Sequence, residues 1–119
     1  MAFDHERLEV YRKSIQFTAT ANEAAAKLPR GRGYLADQLQ RAALSIVLNI
    51  AEGAGKFSPA DKAAFYLRAR ASATESAAVM DVASILQLLN PEIVTCGKAQ
   101  LEEIARMLTR MIKNRQNRA

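Results

Sequence analysis

The sequence is poor in the residues on which most catalysis and most covalent stapling depend. One cysteine, Cys96, and one histidine, His5, occur in 119 residues. A lone cysteine excludes an internal disulfide and points to a reducing compartment. A lone histidine excludes the paired Glu-x-x-His motifs of di-iron bundles, and the chain holds no Glu-x-x-His at all. A Cys–His pair would have to close about ninety residues of chain, and nothing in the pattern draws the two together. No metal or cofactor is expected. Trp is absent, and there are only 4 Phe and 3 Tyr, a composition that disfavours sheets. No stretch approaches the roughly 20 apolar residues of a membrane span. The start of the chain carries Asp4, His5, Glu6 and Arg7 with no apolar h-region, so no signal peptide and a cytoplasmic location are expected.

Glycine and proline are also scarce, with 5 Gly and 3 Pro, and their placement punctuates the chain. They fall near Pro29–Gly33, Gly53–Pro59 and Asn90–Gly97, marking three connections. What lies between is half hydrophobic and rich in Ala, the best helix former. The reading is all-α, an antiparallel up-and-down four-helix bundle in a single domain over 1–119, with helices at about 6–28, 34–54, 59–89 and 92–114.

Each helix shows apolar spacings of three and four. The first carries Leu8, Tyr11, Ile15, Thr18, Ala21, Ala25 and Leu28; the second Leu35, Leu39, Ala42, Ala43, Ile46 and Ile50. Gly53 and Gly55 are expected to end the second in a left-handed turn. The third opens with Ser58 as N-cap, Pro59 at the first position and Asp61 in the first turn. Leu67, Ala71, Thr74, Ala78, Val82, Ile85 and Leu89 form its heptad seam. At 1.5 Å per residue it would span about 45 Å, long enough to project or to pack on another subunit. The fourth starts after Asn90-Pro91, with Leu101, Ile104, Leu108 and Met111 as seam; Thr95-Cys96-Gly97 is expected to disturb its first turn. Phe17, Leu44, Val47, Leu48, Phe65 and Tyr66 fall off these seams and widen the apolar arc, either as a broad core stripe or as a subunit interface.

Two polar patterns are candidates for function. On the second helix Gln38, Arg41, Ser45, Asn49 and Glu52 share one face, and Arg68, Ser72 and Glu75 form a matching row on the third. Antiparallel pairing would place Arg41 level with Ser72 and Glu75, and Ser45 level with Arg68, giving a polar seam with an Arg41–Glu75 ion pair. Such a seam more often fixes register than binds a ligand.

The second pattern is basic, within a net charge of +5. Arg106, Arg110 and Lys113 recur at i, i+4 and i+7, followed by Arg115 and Arg118, with no acid after Glu103. Lys27, Arg30 and Arg32 make a second cluster at the first connection, at the opposite end of the bundle. Phosphate contacts need only such groups and read no sequence. A solvated face with cations favoured at a helix C-terminus explains them equally well. No aromatic residue interleaves them, so base stacking is not expected.

The run from Gln38 to Gly53, QLQRAALSIVLNIAEG, resembles the pattern Q-L-x-R-A-x-x-S-I-x-x-N-I-A-E-G of a bacterial family. The family is that of four-helix-bundle proteins related to the intervening-sequence protein of large-subunit ribosomal RNA. Leu8-Glu9-Val10-Tyr11 is similar to its opening L-x-V-W/Y, and Phe65 to Glu75 to its F-L-x-x-A-x-x-S-x-x-E. The resemblance implies an up-and-down bundle assembled as a homopentamer with a basic surface. It also implies kinship with the accessory variability determinants of diversity-generating retroelements, which bind a reverse transcriptase and nucleic acid. The signature residues carry over to Gln38, Arg41, Ser45, Asn49, Glu52, Gly53, Ser72 and Glu75, as determinants of fold and assembly rather than of catalysis. The expectation is a non-enzymatic oligomeric adaptor with weak, sequence-independent affinity for RNA or DNA. The alternative is a protein-interaction scaffold with no nucleic-acid function.

Overall fold

The computed structural model describes residues 3–118, and among them four long helices and no strand. A 3-10 turn, Asp4–Arg7, leads into α1, Glu9–Lys27. Then come α2, Gly33–Ala54; α3, Pro59–Ile85; and α4, Pro91–Gln116. Each helix packs against its neighbours in sequence, and α1 closes the ring against α4. Short connections force the antiparallel, up-and-down arrangement. The 3-10 turn folds back against α2.

The starts of α3 and α4 follow from their caps. Ser58 Oγ accepts from the Asp61 N–H at 3.1 Å, and Asn90 Oδ1 accepts from the Glu92 N–H at 2.8 Å. A proline follows each cap at the first helical position, where its missing N–H costs nothing. Gly31, at φ +88°, takes the left-handed turn between α1 and α2.

Four expectations about the helices are corrected. Gly53 does not end α2: it lies inside the helix and is buried, because the Tyr66 ring packs against it. Gly55, at φ −82°, is not left-handed either. Gly97 does not disturb α4, which runs unbroken from Pro91; it is buried where Met80 of α3 comes close. Both glycines serve close helix approach. Finally, α3 stops at Ile85 and not at Leu89. Gln87 adopts φ +57°, the Leu88 N–H bonds the Ala83 carbonyl, and the Gln87 N–H bonds that of Ser84. This is a Schellman turn closed by a non-glycine residue. At about 40 Å, α3 is only one residue longer than the 26-residue α4 beside it.

The core draws on every helix: Val10 and Phe17, Leu39, Ile46 and Ile50, Tyr66 and Met80, Ile104 and Leu108 are all fully buried. Each large apolar side chain so buried contributes about 1.5–3 kcal/mol. The stripes expected on α2 and most of α4 are the buried ones. On α1, Val10, Ser14 and Phe17 point inward and Ile15 outward. Phe17, Val47 and Tyr66 are therefore core residues, whereas Leu44 and Leu48 are exposed.

The largest departure is α3. Its buried side is Ala63, Tyr66, Ala69, Ala73, Ser76, Val79, Met80 and Ala83. Of the expected seam only Leu89 is buried. Leu67 is 56% exposed, Val82 41% and Ile85 80%, and Ala71, Thr74 and Ala78 lie on the same outer side. The heptad pattern is real, but it faces away from the bundle.

The two interior glycines respond differently to an added methyl. At Gly53 a Cβ would sit 2.7 Å from Tyr66 Cε1 and 3.1 Å from Phe65 Cβ. At Gly97 it would sit 2.7 Å from Met80 Cε, the free end of a flexible chain. Gly53→Ala is expected to destabilise by about 1–3 kcal/mol through overpacking, despite alanine's better helix propensity. Gly97→Ala is expected to stay within about 1 kcal/mol of wild type. Urea titrations of both variants check the contrast.

Candidate nucleic-acid interface

Arg106, Arg110 and Lys113 lie on the outer side of α4 because the seam Leu101, Ile104, Leu108 and Ile112 takes the inner face. Arg106, Arg110 and Lys113 are exposed, and none forms an ion pair among the described residues. The nearest acid before them in sequence, Glu103, is engaged by Lys13 of α1 at 2.7 Å. That contact holds the Lys13 ammonium above its ordinary pKa, chiefly through the hydrogen bond. The basic face therefore keeps its charge free for an outside anion.

The fold adds a cation that the sequence pattern did not group with these. Arg70 of α3 donates from Nε to Thr109 Oγ1 at 2.7 Å. Thr109 lies three residues after Arg106 and four before Lys113, so Arg70 joins the same face. Only the register of α3 against α4 reveals this.

Arg115 does not belong to that face. Its spacing from Leu108 and Ile112 places it on the inner side, where its guanidinium lies over the Tyr66 ring at 5.5 Å. Its Nη1 donates to the Met111 carbonyl at 3.4 Å. Tyr66 is itself only 1% exposed, so this aromatic offers no surface to a base. Arg118 is exposed beyond the end of α4.

The cluster at the first connection lies at the far end of the bundle. Lys27 is paired with Glu23 at 3.1 Å, one turn back on α1. Arg32 donates from Nη1 to the Tyr34 hydroxyl at 2.9 Å. Arg30 is exposed. Intramolecular pairing makes this the weaker of the two basic patches.

The polar rows on α2 and α3 do meet, but not as the ion pair expected. Glu75 accepts from Gln38 Nε2 at 3.0 Å, and Arg41 forms no ion pair among the described residues. Gln38, Arg41, Glu52, Arg68 and Glu75 are all exposed. Ser45 pairs with Ser72, hydroxyl to hydroxyl at 2.7 Å, and not with Arg68. Side chains lean toward the N-terminus of their own helix, so in an antiparallel pair these two lean toward each other and close a one-turn offset. Asn49 Nδ2 donates to the Ser45 carbonyl at 2.9 Å and to Ser45 Oγ at 3.0 Å. Arg68 covers the Phe65 ring at 4.5 Å, with Lys56 at 5.0 Å from the same ring. Ser45, Asn49 and Ser72 form a half-buried hydrogen-bonded row between α2 and α3, and the charged members of the rows are exposed around it.

His5 and Cys96 stay apart. His5 packs edge-on against Tyr11 beside the start of α1, while Cys96 is exposed on the first turns of α4, at the other end of the bundle. Among the described residues no cluster of three His, Cys, Asp or Glu side chains is placed to hold a metal. No described helix is long and apolar enough to cross a membrane.

A family model described as 23S rRNA-intervening sequence protein matches residues 6–110. Among solved structures, one from Bacteroides thetaiotaomicron, a protein with unknown function from the S23 ribosomal protein family, superposes with a TM-score of 0.81. The superposition covers 87% of this chain and 98% of that one at 23% identity, a likeness of fold. No curated protein matches the chain.

The exposed Gln38–Glu75 contact contributes little, as surface pairs do. Glu75→Ala is expected to cost less than about 0.5 kcal/mol. The part-buried hydroxyl pair is different. A double-mutant cycle on Ser45→Ala and Ser72→Ala is expected to return a coupling of about 0.5–1.5 kcal/mol in chemical denaturation.

Proposed function

Because the chain belongs to the 23S rRNA-intervening sequence protein family, we propose that it is a non-enzymatic, homo-oligomeric bundle that acts as a nucleic-acid-binding adaptor. The observation that carries the reading is the outer face of α4, where Arg106, Arg110 and Lys113 stand exposed and unpaired among the described residues, with Arg70 alongside. Such a face meets phosphates and reads no bases, so RNA and DNA are both within its reach. Neither the helical surface nor its cations offer a nucleophile beside a base, and no step of covalent chemistry is assigned to it. A pentamer is the assembly that the resemblance favours.

The outer side of α3 supports a second reading. Leu67, Ala71, Ala78, Val82 and Ile85 leave an apolar stripe on the surface, and a stripe of that length fits a protein partner as well as a second copy. A scaffold that binds a protein, such as a reverse transcriptase, through this face would need no nucleic-acid contact.

Labelled single- and double-stranded RNA and DNA, titrated at several salt concentrations, separate the two. The adaptor reading predicts affinity that is indifferent to base sequence and falls steeply with salt. Replacing Arg106, Arg110 and Lys113 together with Gln is expected to weaken binding to every sequence alike and to lower the salt slope by about three. Absence of binding even at low salt would contradict it and leave the scaffold.

A further inference from the structure

At the end of the bundle where α4 finishes, three cations from three separate elements converge on one cavity. Arg7 comes from the 3-10 turn, Lys62 from the start of α3 and Arg115 from the end of α4. The cavity measures about 250 Å³ and its apolar wall is Leu8 and Ala54. That is just below the roughly 300–1,000 Å³ of sites for drug-sized molecules, and suits a small ion or the end of a longer chain. Asp4 also lines it, yet it forms an ion pair with none of the three among the described residues.

Like charges gathered around one cavity repel. The fold nevertheless spends structure on holding them. Lys62 Nζ is anchored on the Ala54 carbonyl at 2.8 Å, at the C-terminal end of α2. The Arg115 guanidinium is braced by the Tyr66 ring and the Met111 carbonyl, and its Nε is buried with no hydrogen-bond acceptor among the described residues. A buried donor left unpaired is costly, and such groups in folded proteins usually have a partner. Tyr66 also lines the cavity; burial, the largest influence, raises its pKa, so its hydroxyl is protonated near neutral pH.

We infer that this cavity is an anion site for a phosphate group, held by Arg7, Lys62 and Arg115 with the Tyr66 ring beneath. Three cations against one carboxylate leave an excess of two positive charges, which a terminal phosphate matches with its charge of about −1.5 to −2 at neutral pH. A carboxylate would leave one cation unbalanced. Guanidinium groups are also the side chains best shaped to share two oxygens of a phosphate. The site is separate from the outer face of α4, because Arg115 lies on the inner side of that helix. It stands whether or not α4 binds nucleic acid. The phosphate has two sources, the 5′ end of a nucleic acid or the free ion.

The test uses the full chain, inorganic phosphate, chloride at matched ionic strength, and one oligonucleotide with either a 5′-phosphate or a 5′-hydroxyl. Phosphate is expected to raise the melting temperature saturably above the chloride control, as any ligand of the native state does. Arg7→Gln, on an exposed turn, and Arg115→Gln are each expected to remove that rise; the first is informative even where the second disturbs the bundle. If the 5′-phosphate oligonucleotide also binds about tenfold more tightly than its hydroxyl twin, the size of one charge-assisted hydrogen bond, the source is a nucleic-acid end. Equal binding of the two, or none, together with the Arg7-dependent rise assigns the site to free phosphate. No rise above chloride, or a rise that Arg7→Gln leaves intact, overturns the site, even where α4 still binds both oligonucleotides.

Discussion

A helix with apolar side chains on two opposite faces can bury only one of them inside a four-helix bundle, and α3 is such a helix. Its inner face is built from small residues, Ala63, Ala69, Ala73, Ser76 and Ala83, around the two large anchors Tyr66 and Met80. Small residues let α2 and α4 come close, and the glycines that meet those anchors, Gly53 and Gly97, sit on those two helices. The larger aliphatics Leu67, Val82 and Ile85 are left outside. An exposed row of this kind is unfavourable in water unless something covers it, and it runs along most of the helix. The same choice of inner face sets the other surfaces. It turns Arg70 toward α4, brings Ser72 to Ser45, and puts Tyr66 beneath Arg115.

The Ser45–Ser72 row between α2 and α3 lies beside this uncovered stripe. Ser45, Asn49 and Ser72 satisfy one another there through hydrogen bonds. Around it Arg41 and Glu52 are exposed, without ion pairs among the described residues. Charged residues bordering an apolar stripe match the polar rim of a protein interface. The signature residues thus divide into a set that positions two helices and a set that faces outward.

Much of this was legible in the sequence. The caps at Ser58 and Asn90 and the stripe on α2 could be read directly, because the residue types admit one local solution. The inner face of α3 could not. Two periodic rows compete there, and the one made of Leu, Val and Ile carries a stronger signal than the one made of Ala and Ser. Gly53 and Gly97 were read as helix breakers because close approach of another helix leaves no local trace. The level pairing of Ser45 with Arg68 failed because the register was counted along the backbone, ignoring the lean of the side chains; at the Arg41 end, Glu75 takes Gln38 instead. Arg115 could have been separated from the outer basic row, since it follows Leu108 by seven residues and Ile112 by three. Arg70 could not have been added to that row without the contact with Thr109.

In the homo-oligomer proposed above, further copies of this chain would cover the outer face of α3. Sedimentation equilibrium on the wild type and on Leu67→Glu combined with Ala71→Glu tests it most directly, with circular dichroism melts to confirm that the variant folds. Both positions are exposed, so the charges should leave the bundle intact. A face covered in this way gives a wild-type mass that is a multiple of 13.1 kDa and a folded variant at 13.1 kDa. A wild type that sediments at 13.1 kDa, or a variant whose mass equals that of the wild-type oligomer, would contradict it.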